Sequence, residues 1–335
     1  MEGAWCPLCV LLRLEGELMD LSVVYMVCGI LLASYSVIGN DSVQTLGTFI
    51  ASNRSPWYYQ WIWASSIFLA AAAYGLFAYD WDIAHGRLDH IPAVSIEWYH
   101  LLGPLALVIL TRFGFPVSTT FMVLSVFAVG FALEQMLIKS FMGYAVAAAA
   151  AYGMWWGLSQ ILNEHDSVPD WQKPYWRAGQ WWTTGVLYFM WLSHDMANFV
   201  IFAPRGAALT APWIAFICTT AILLMGFMFW EKGGKIQEIV REKSNTRYVR
   251  SATIIDTLYA FILYFFKELN NIPLSTTWVF VGLLAGRELA VRHQHLPQHL
   301  NTVFPLIAKD FAKMMFGLAV SLAVVLGVHY FIIGN

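Results

Sequence analysis

Long apolar runs constrain the fold of this chain more than any other feature of its sequence. A helix needs about 20 predominantly apolar residues to cross the hydrocarbon core of a bilayer. The runs cover residues 21–50, 57–79, 140–162, 177–203, 210–230 and 305–333. The chain is 59% hydrophobic and 12% charged, whereas an ordinary soluble domain is about 45–50% apolar and about 25% charged. The sequence therefore predicts an all-α polytopic membrane protein with these six runs as spanning helices.

Two further apolar stretches, residues 97–137 and 252–286, are each interrupted once, and a similar string follows each interruption. Residues 116–120 read Pro-Val-Ser-Thr-Thr, and residues 273–277 read Pro-Leu-Ser-Thr-Thr. Proline stops the preceding helix, so each stretch is predicted to form a re-entrant helical hairpin whose tip carries the string.

The two strings belong to a longer internal repeat, because an aspartate precedes each of them at a similar distance. Asp41 lies 118 − 41 = 77 residues before Ser118, and Asp195 lies 275 − 195 = 80 residues before Ser275. The matching order and spacing indicate two related halves.

Each half then contains three spanning helices and one hairpin, and an odd number of crossings inverts the second half. The loop at 231–251 carries six Lys or Arg residues and the loop at 80–97 only one, so the positive-inside rule places the first in the cytoplasm and the second outside. Arg205, in a short external loop, is an exception. The predicted division is an external N-terminal leader (1–20), a first repeat (21–163), a linker (164–176) and a second repeat (177–335), with both termini external.

Each string is typical of a helix start, where a serine caps free N–H groups and a positive dipole end favours an anion. Transporters with inverted repeats aim broken helices at anionic substrates in this way. The predicted substrate-binding residues are Ser118, Thr119, Thr120, Ser275, Thr276 and Thr277, with Arg112 just before the first tip. The alternative is that each string is a kink whose hydroxyls bond to backbone carbonyls.

Aspartates at membrane depth are costly, so Asp41 and Asp195 are candidates for a functional site. Nearby amides offer hard oxygen ligands that suit a sodium ion. The predicted cation-binding or coupling residues are Asn40, Asp41, Gln44, His194, Asp195 and Asn198. A bound proton, or a purely structural hydrogen bond, remains open for either carboxylate.

Residues 40–47 and 194–198, each followed by Pro-x-Ser-Thr-Thr, resemble the duplicated signature of the inorganic phosphate transporter (PiT) family. The resemblance implies cation-coupled uptake of inorganic phosphate, usually with sodium and in some members with protons, and the same family includes sulfate permeases. Gln44 and His194 stand where that pattern has asparagine. Since histidine titrates near neutral pH, His194 leaves the choice between sodium and proton coupling open.

The predicted function is therefore secondary active symport of inorganic phosphate with Na⁺ or H⁺ by alternating access. Its predicted partners are phosphate (or sulfate), the coupled cation and the bilayer of a plasma or inner membrane. No cofactor and no metal other than the coupled cation is expected, and a homodimer is left open. The net charge of −2 and the absence of a long basic stretch exclude nucleic acid. The alternatives are a sulfate permease, an integral-membrane enzyme using His194 and Asp195, and a scaffold or receptor without anion flux.

Overall fold

The protein is helical in a computed structural model that describes residues 21–89, 91–127, 129–159, 168–243, 248–269, 275–295 and 300–334. No strand occurs among the residues in these ranges. The predicted leader, 1–20, lies outside them, as do residues 164–167 of the predicted linker. The prediction of an all-α fold is confirmed for the part of the chain that is described.

The first part of the chain forms α1 (Leu21–Val37), α2 (Val43–Ser52), α3 (Trp57–Ala78), α4 (Leu102–Arg112), α5 (Thr119–Leu124) and α6 (Val129–Ser159). A π-helical turn, Ile38–Ser42, joins α1 to α2 without a break. The turn therefore places the Asn40-Asp41 pair inside one continuous apolar helix.

The second part forms α7 (Lys173–Asp195), α8 (Ala197–Val200), α9 (Ala211–Trp230), α10 (Gln237–Arg241), α11 (Val249–Leu263), α12 (Thr276–His295) and α13 (Leu300–Val328). A π-helical segment, Tyr264–Leu269, extends α11, and another, His329–Ile333, extends α13. Helix α7 begins within the segment predicted as the linker.

Five helical segments among the described residues are long and apolar enough to cross a membrane. They are Leu21–Ser52, Trp57–Ala78, Ala211–Trp230, Val249–Phe266 and Asn301–Phe331. Four of them match predicted spans, but Val249–Phe266 lies in the stretch that was predicted to form the second hairpin. The predicted runs at 140–162 and 177–203 are not among the five. Helix α7 buries Gln180, Thr184, His194 and Asp195, and these polar side chains lower its hydropathy.

The tip of the first interrupted stretch has the predicted turn. Gly114 adopts φ +75°, its N–H donates to the Thr111 carbonyl at 3.0 Å, and the Phe115 N–H donates to the Leu110 carbonyl at 3.0 Å. These two bonds form a Schellman motif, which ends α4. Ser118 then caps α5 by accepting from the Phe121 N–H at 3.4 Å. In the second stretch, residues 270–274 lie outside the described part of the chain.

Helices α6 and α12 pack closely because two glycines of α12 face the backbone of α6. A Cβ atom on Gly282 would lie 2.5 Å from the Tyr144 carbonyl oxygen, and one on Gly286 would lie 2.0 Å from that of Ala148. Such Gly-x-x-x-Gly contacts hold membrane helices together at short distance. They fix the position of α12, which begins at the second Ser-Thr-Thr string.

Candidate functional site

Asp41 is joined to the first string by side-chain hydrogen bonds. Asn40 and Asp41 are buried in the π-helical turn. The Asn40 amide donates to Asp41 Oδ1 at 2.7 Å and also to the Val117 carbonyl, and its own oxygen accepts from the Gln44 amide at 3.2 Å. The Thr119 hydroxyl donates to Asp41 Oδ2. The first aspartate and the first tip therefore form one buried polar cluster.

Asp195, at the end of α7, contacts the same tip through Thr120, the residue that follows Thr119. The Thr120 hydroxyl donates to Asp195 Oδ1 at 2.8 Å. The Asn198 amide donates to the same carboxylate oxygen at 3.3 Å and to the Thr120 hydroxyl oxygen at 3.1 Å. Consecutive threonines in the first turn of α5 thus contact the two aspartates, one each.

The second string meets the first at the Val117 carbonyl. The Thr277 hydroxyl donates to this oxygen at 3.0 Å, which also accepts from Asn40. The Thr276 carbonyl accepts from the Tyr259 hydroxyl at 2.9 Å. Thr276 and Thr277 are buried, whereas Ser275 is only partly buried. The two strings are therefore in direct contact at the start of α5 and of α12.

Two amide oxygens of this cluster are buried without a hydrogen-bond donor among the described residues. They are Gln44 Oε1 and Asn198 Oδ1. A buried acceptor without a donor is costly, and amide and carboxylate oxygens such as these are the ligands that a hard cation such as sodium prefers. The residues fit the cation site predicted from the sequence.

His194 is held by an arginine that the sequence reasoning did not assign to the site. Arg87, in the loop after α3, donates from Nη2 to His194 Nδ1. A guanidinium group can only donate, so Nδ1 of the ring is the acceptor in this contact. The available signal was that Arg87 is the single Lys or Arg in residues 80–97.

Arg112 has different surroundings from those predicted for an anion ligand. Its guanidinium forms an ion pair with Glu231 at 3.6 Å and lies 5.2 Å from the ring centre of Tyr35. Its side chain is 53% exposed, and among the described residues no hydrogen bond or ion pair joins it to Ser118, Thr119 or Thr120. The structure therefore places Arg112 beside the cluster and not in it.

Two cavities are lined by residues that are adjacent in sequence to the cluster. One, of about 520 Å³, lies between α3 and α7 and is lined by Arg87 and by Ser193, which directly precedes His194. The other, of about 430 Å³, is lined by Arg112 and by Gly39, which directly precedes Asn40. Each cavity is thus lined by one arginine and by one residue that is adjacent in sequence to the cluster.

A solved structure described as "The sodium-dependent phosphate transporter" has the same fold. The TM-score is 0.61, and the alignment covers 94% of this chain and 100% of that chain, with 15% sequence identity. No protein-family model matches the chain. No curated protein matches it either. The likeness shows that the chain has the fold of that solved protein, and together with the apolar helices it indicates a helical membrane protein.

Proposed function

We propose that this protein is a secondary transporter that carries inorganic phosphate across the membrane in symport with a cation. The observation that carries the proposal is the contact of Thr119 with Asp41 and of Thr120 with Asp195. The phosphate specificity rests on the resemblance of the motif to the PiT family and on the phosphate transporter that shares this fold.

The anion-binding groups in this proposal are mainly hydroxyls. Helix α5 has only six residues, so the threonine hydroxyls of the first string contribute more than a helix dipole. Helix α12, with 20 residues, presents free N–H groups and a positive dipole end beside Ser275. Ser118, Thr276 and Thr277 complete the predicted set.

The same threonines explain how cation and anion binding are coupled. Each hydroxyl has one hydrogen to donate, and in the structure Thr119 and Thr120 give theirs to the carboxylates of Asp41 and Asp195. A cation bound to a carboxylate neutralises its charge and competes with the hydroxyl hydrogen. The freed hydroxyls then donate to phosphate, so the cation has to bind before the anion.

The cation in this mechanism is sodium, held by the carboxylates of Asp41 and Asp195 and by the oxygens of Gln44 and Asn198. The contact of Arg87 with His194 favours sodium over a coupled proton carried by His194. A proton added at Nδ1 would remove the acceptor that Arg87 uses. Arg87 takes the role predicted for Arg112, attracting the anion at the mouth of the larger cavity.

Alternating access would open the two cavities in turn, as in transporters built from inverted repeats with the substrate at the repeat interface. Helices α3 and α9 end in the same kind of turn, which also ends α4 and is common at helix ends. The N–H of Trp81 donates to the Leu76 carbonyl and that of Gly233 to the Met228 carbonyl, both five residues back.

The test is uptake of labelled phosphate into proteoliposomes under separate sodium and proton gradients. Asp41→Asn and Asp195→Asn each remove the charge and keep the shape, so we expect both to lose sodium-driven uptake. Asp170→Asn, which changes an exposed surface carboxylate, is the matched control and should transport normally. Normal uptake by both site variants would contradict the proposal.

Competition with unlabelled sulfate separates the phosphate transporter from a sulfate permease. Monohydrogen phosphate donates a hydrogen bond and sulfate only accepts, so a carboxylate near the anion favours phosphate. The unmatched acceptor costs roughly 1–3 kcal/mol, which is about tenfold or more in affinity. Equal inhibition by sulfate and by unlabelled phosphate would favour the sulfate permease.

A further inference from the structure

Asp256 is a buried carboxylate that the proposed transport site does not use. It lies within the apolar segment Val249–Phe266 and is 1% exposed. The Thr48 hydroxyl of α2 donates to its Oδ1, and the Thr184 hydroxyl of α7 donates to its Oδ2. The carboxyl group therefore joins three helices, α2, α7 and α11, through neutral partners.

The charged and titratable groups on the helices packed against α11 have other partners. Arg177 of α7 donates to Gln180 and to the Ser52 carbonyl, Arg287 of α12 donates to Ser251, and Glu288 accepts from Arg292. The remaining such groups whose side chains are described on these helices are Lys173, Tyr175, Tyr188, His194 and Asp195 on α7, His293 on α12, Tyr144 and Tyr152 on α6, with Asp41 before α2 and Arg250, Tyr259 and Tyr264 on α11 and its extension. No ion pair of Asp256 is found in the described part of the chain.

An ionised carboxylate at membrane depth is costly unless a cation balances it. A hard metal ion takes six or more oxygen ligands, and the described side-chain contacts of Asp256 supply only its own oxygens and two hydroxyls. A proton needs a single acceptor. A threonine hydroxyl can both donate and accept, so Thr48 and Thr184 satisfy the carboxyl group in either protonation state.

The cluster lies on the same helix faces as the aspartates of the proposed cation site. Thr48 follows Asp41 by 48 − 41 = 7 residues, and Thr184 precedes Asp195 by 195 − 184 = 11 residues. These intervals are about two and about three turns of an α-helix, so each threonine lies on nearly the same face as its aspartate.

We propose that Asp256 is a proton-binding site, in which a proton held between the carboxyl group and the hydroxyls of Thr48 and Thr184 neutralises the charge while α2, α7 and α11 are packed together. This goes beyond the proposed symport, because it concerns a different ligand and shares no residue with the phosphate or sodium site.

Infrared difference spectroscopy of the purified protein in lipid nanodiscs tests this directly, without phosphate and with choline in place of sodium. At about pH 6, some two units above the ordinary aspartate range, we expect a carbonyl band from one protonated carboxyl group. The band should be absent in Asp256→Asn and present in Asp170→Asn. Loss of phosphate transport would not affect this result, so the two proposals fail separately.

Thr184→Val serves as the second variant if Asp256→Asn does not fold. Removing one hydroxyl partner should shift the frequency of the band, and raising the pH should remove the band from the wild type. A spectrum that is the same in wild type and Asp256→Asn would overturn the proposal. Carboxylate bands that respond to sodium in wild type but not in Asp256→Asn would also overturn the proposal, because the ligand of Asp256 would then be a metal cation.

Discussion

Thr120→Val is the sharpest test of the coupling mechanism, because valine has nearly the same shape and lacks only the hydroxyl. In the structure this hydroxyl donates to Asp195 at 2.8 Å and accepts from Asn198 at 3.1 Å. The mechanism assigns it to phosphate once the cation is bound. The variant should therefore lose one hydrogen bond to a charged ligand and keep the cation site.

The expected size follows from the kind of bond. A hydrogen bond to a charged group contributes about 1.5–3 kcal/mol, and each 1.4 kcal/mol is about tenfold in affinity. Phosphate binding in the presence of sodium should therefore weaken about 10- to 100-fold. Sodium binding without phosphate should be unchanged or tighter, because Asp195 keeps its bond from Asn198 at 3.3 Å and loses a competing hydroxyl.

Calorimetric titration of the purified protein with sodium, and then with phosphate at saturating sodium, separates the two effects. Thr45→Val is the matched control, since this buried hydroxyl bonds only to the backbone carbonyls of Asp41 and Ser42 in the described contacts. A phosphate affinity equal to that of wild type, or a parallel loss of sodium affinity in Thr120→Val, would refute the reasoning.

Three further predictions concern the surroundings of the site. Arg87→Gln should raise the KM for phosphate roughly fivefold, equivalent to about 1 kcal/mol, and the effect should be smaller at high salt. Arg241→Gln is the control. An unchanged KM in Arg87→Gln would show that Arg87 does not attract the anion. A single cysteine at Asp89 should react only with reagent outside the cell and one at Lys232 only with reagent inside, and labelling of both from one side would contradict the inverted arrangement. Gly114→Ala should lower the free energy of unfolding by about 1–3 kcal/mol, because alanine is strained at positive φ, whereas Gly157→Ala in open space should not; equal melting temperatures would contradict the strain.

The sequence predicted the parts of the site but not how they cross-connect. The internal repeat paired Asp41 with the string that contains Ser118, and Asp195 with the string that contains Ser275. In the structure one string reaches both aspartates, through Thr119 and Thr120. Spacing along the chain gives the order of the groups. Which neighbour a helical side chain faces depends on how the packed helix is rotated about its own axis.

Arg87 and Asp256 were missed for different physical reasons. Arg87 lies 194 − 87 = 107 residues from His194, and its loop contains positive-φ residues at Asp80, Trp81 and His85 that direct the chain back in a way that composition does not reveal. Asp256 lies in an apolar run without a motif, and its partners come from two distant helices. Arg112 is near the tip in sequence, but its described contacts are with Glu231 and Tyr35, so its predicted role in binding the anion stays a prediction.

The π-helical turn Ile38–Ser42 has a consequence for the rotational phase of the helices that it joins. A π-turn uses about one residue more than an α-turn, and one residue of an α-helix corresponds to about 100° of rotation. The face that α1 buries is therefore out of phase with the face that α2 buries. Gly29 of α1 can pack against Phe202 while Gly47 of α2 accepts from Gln237, and neither contact dictates the other. Because Asp41 lies within this turn, a shift of the π-turn by one position would rotate the aspartate away from its partners while both helices kept their neighbours.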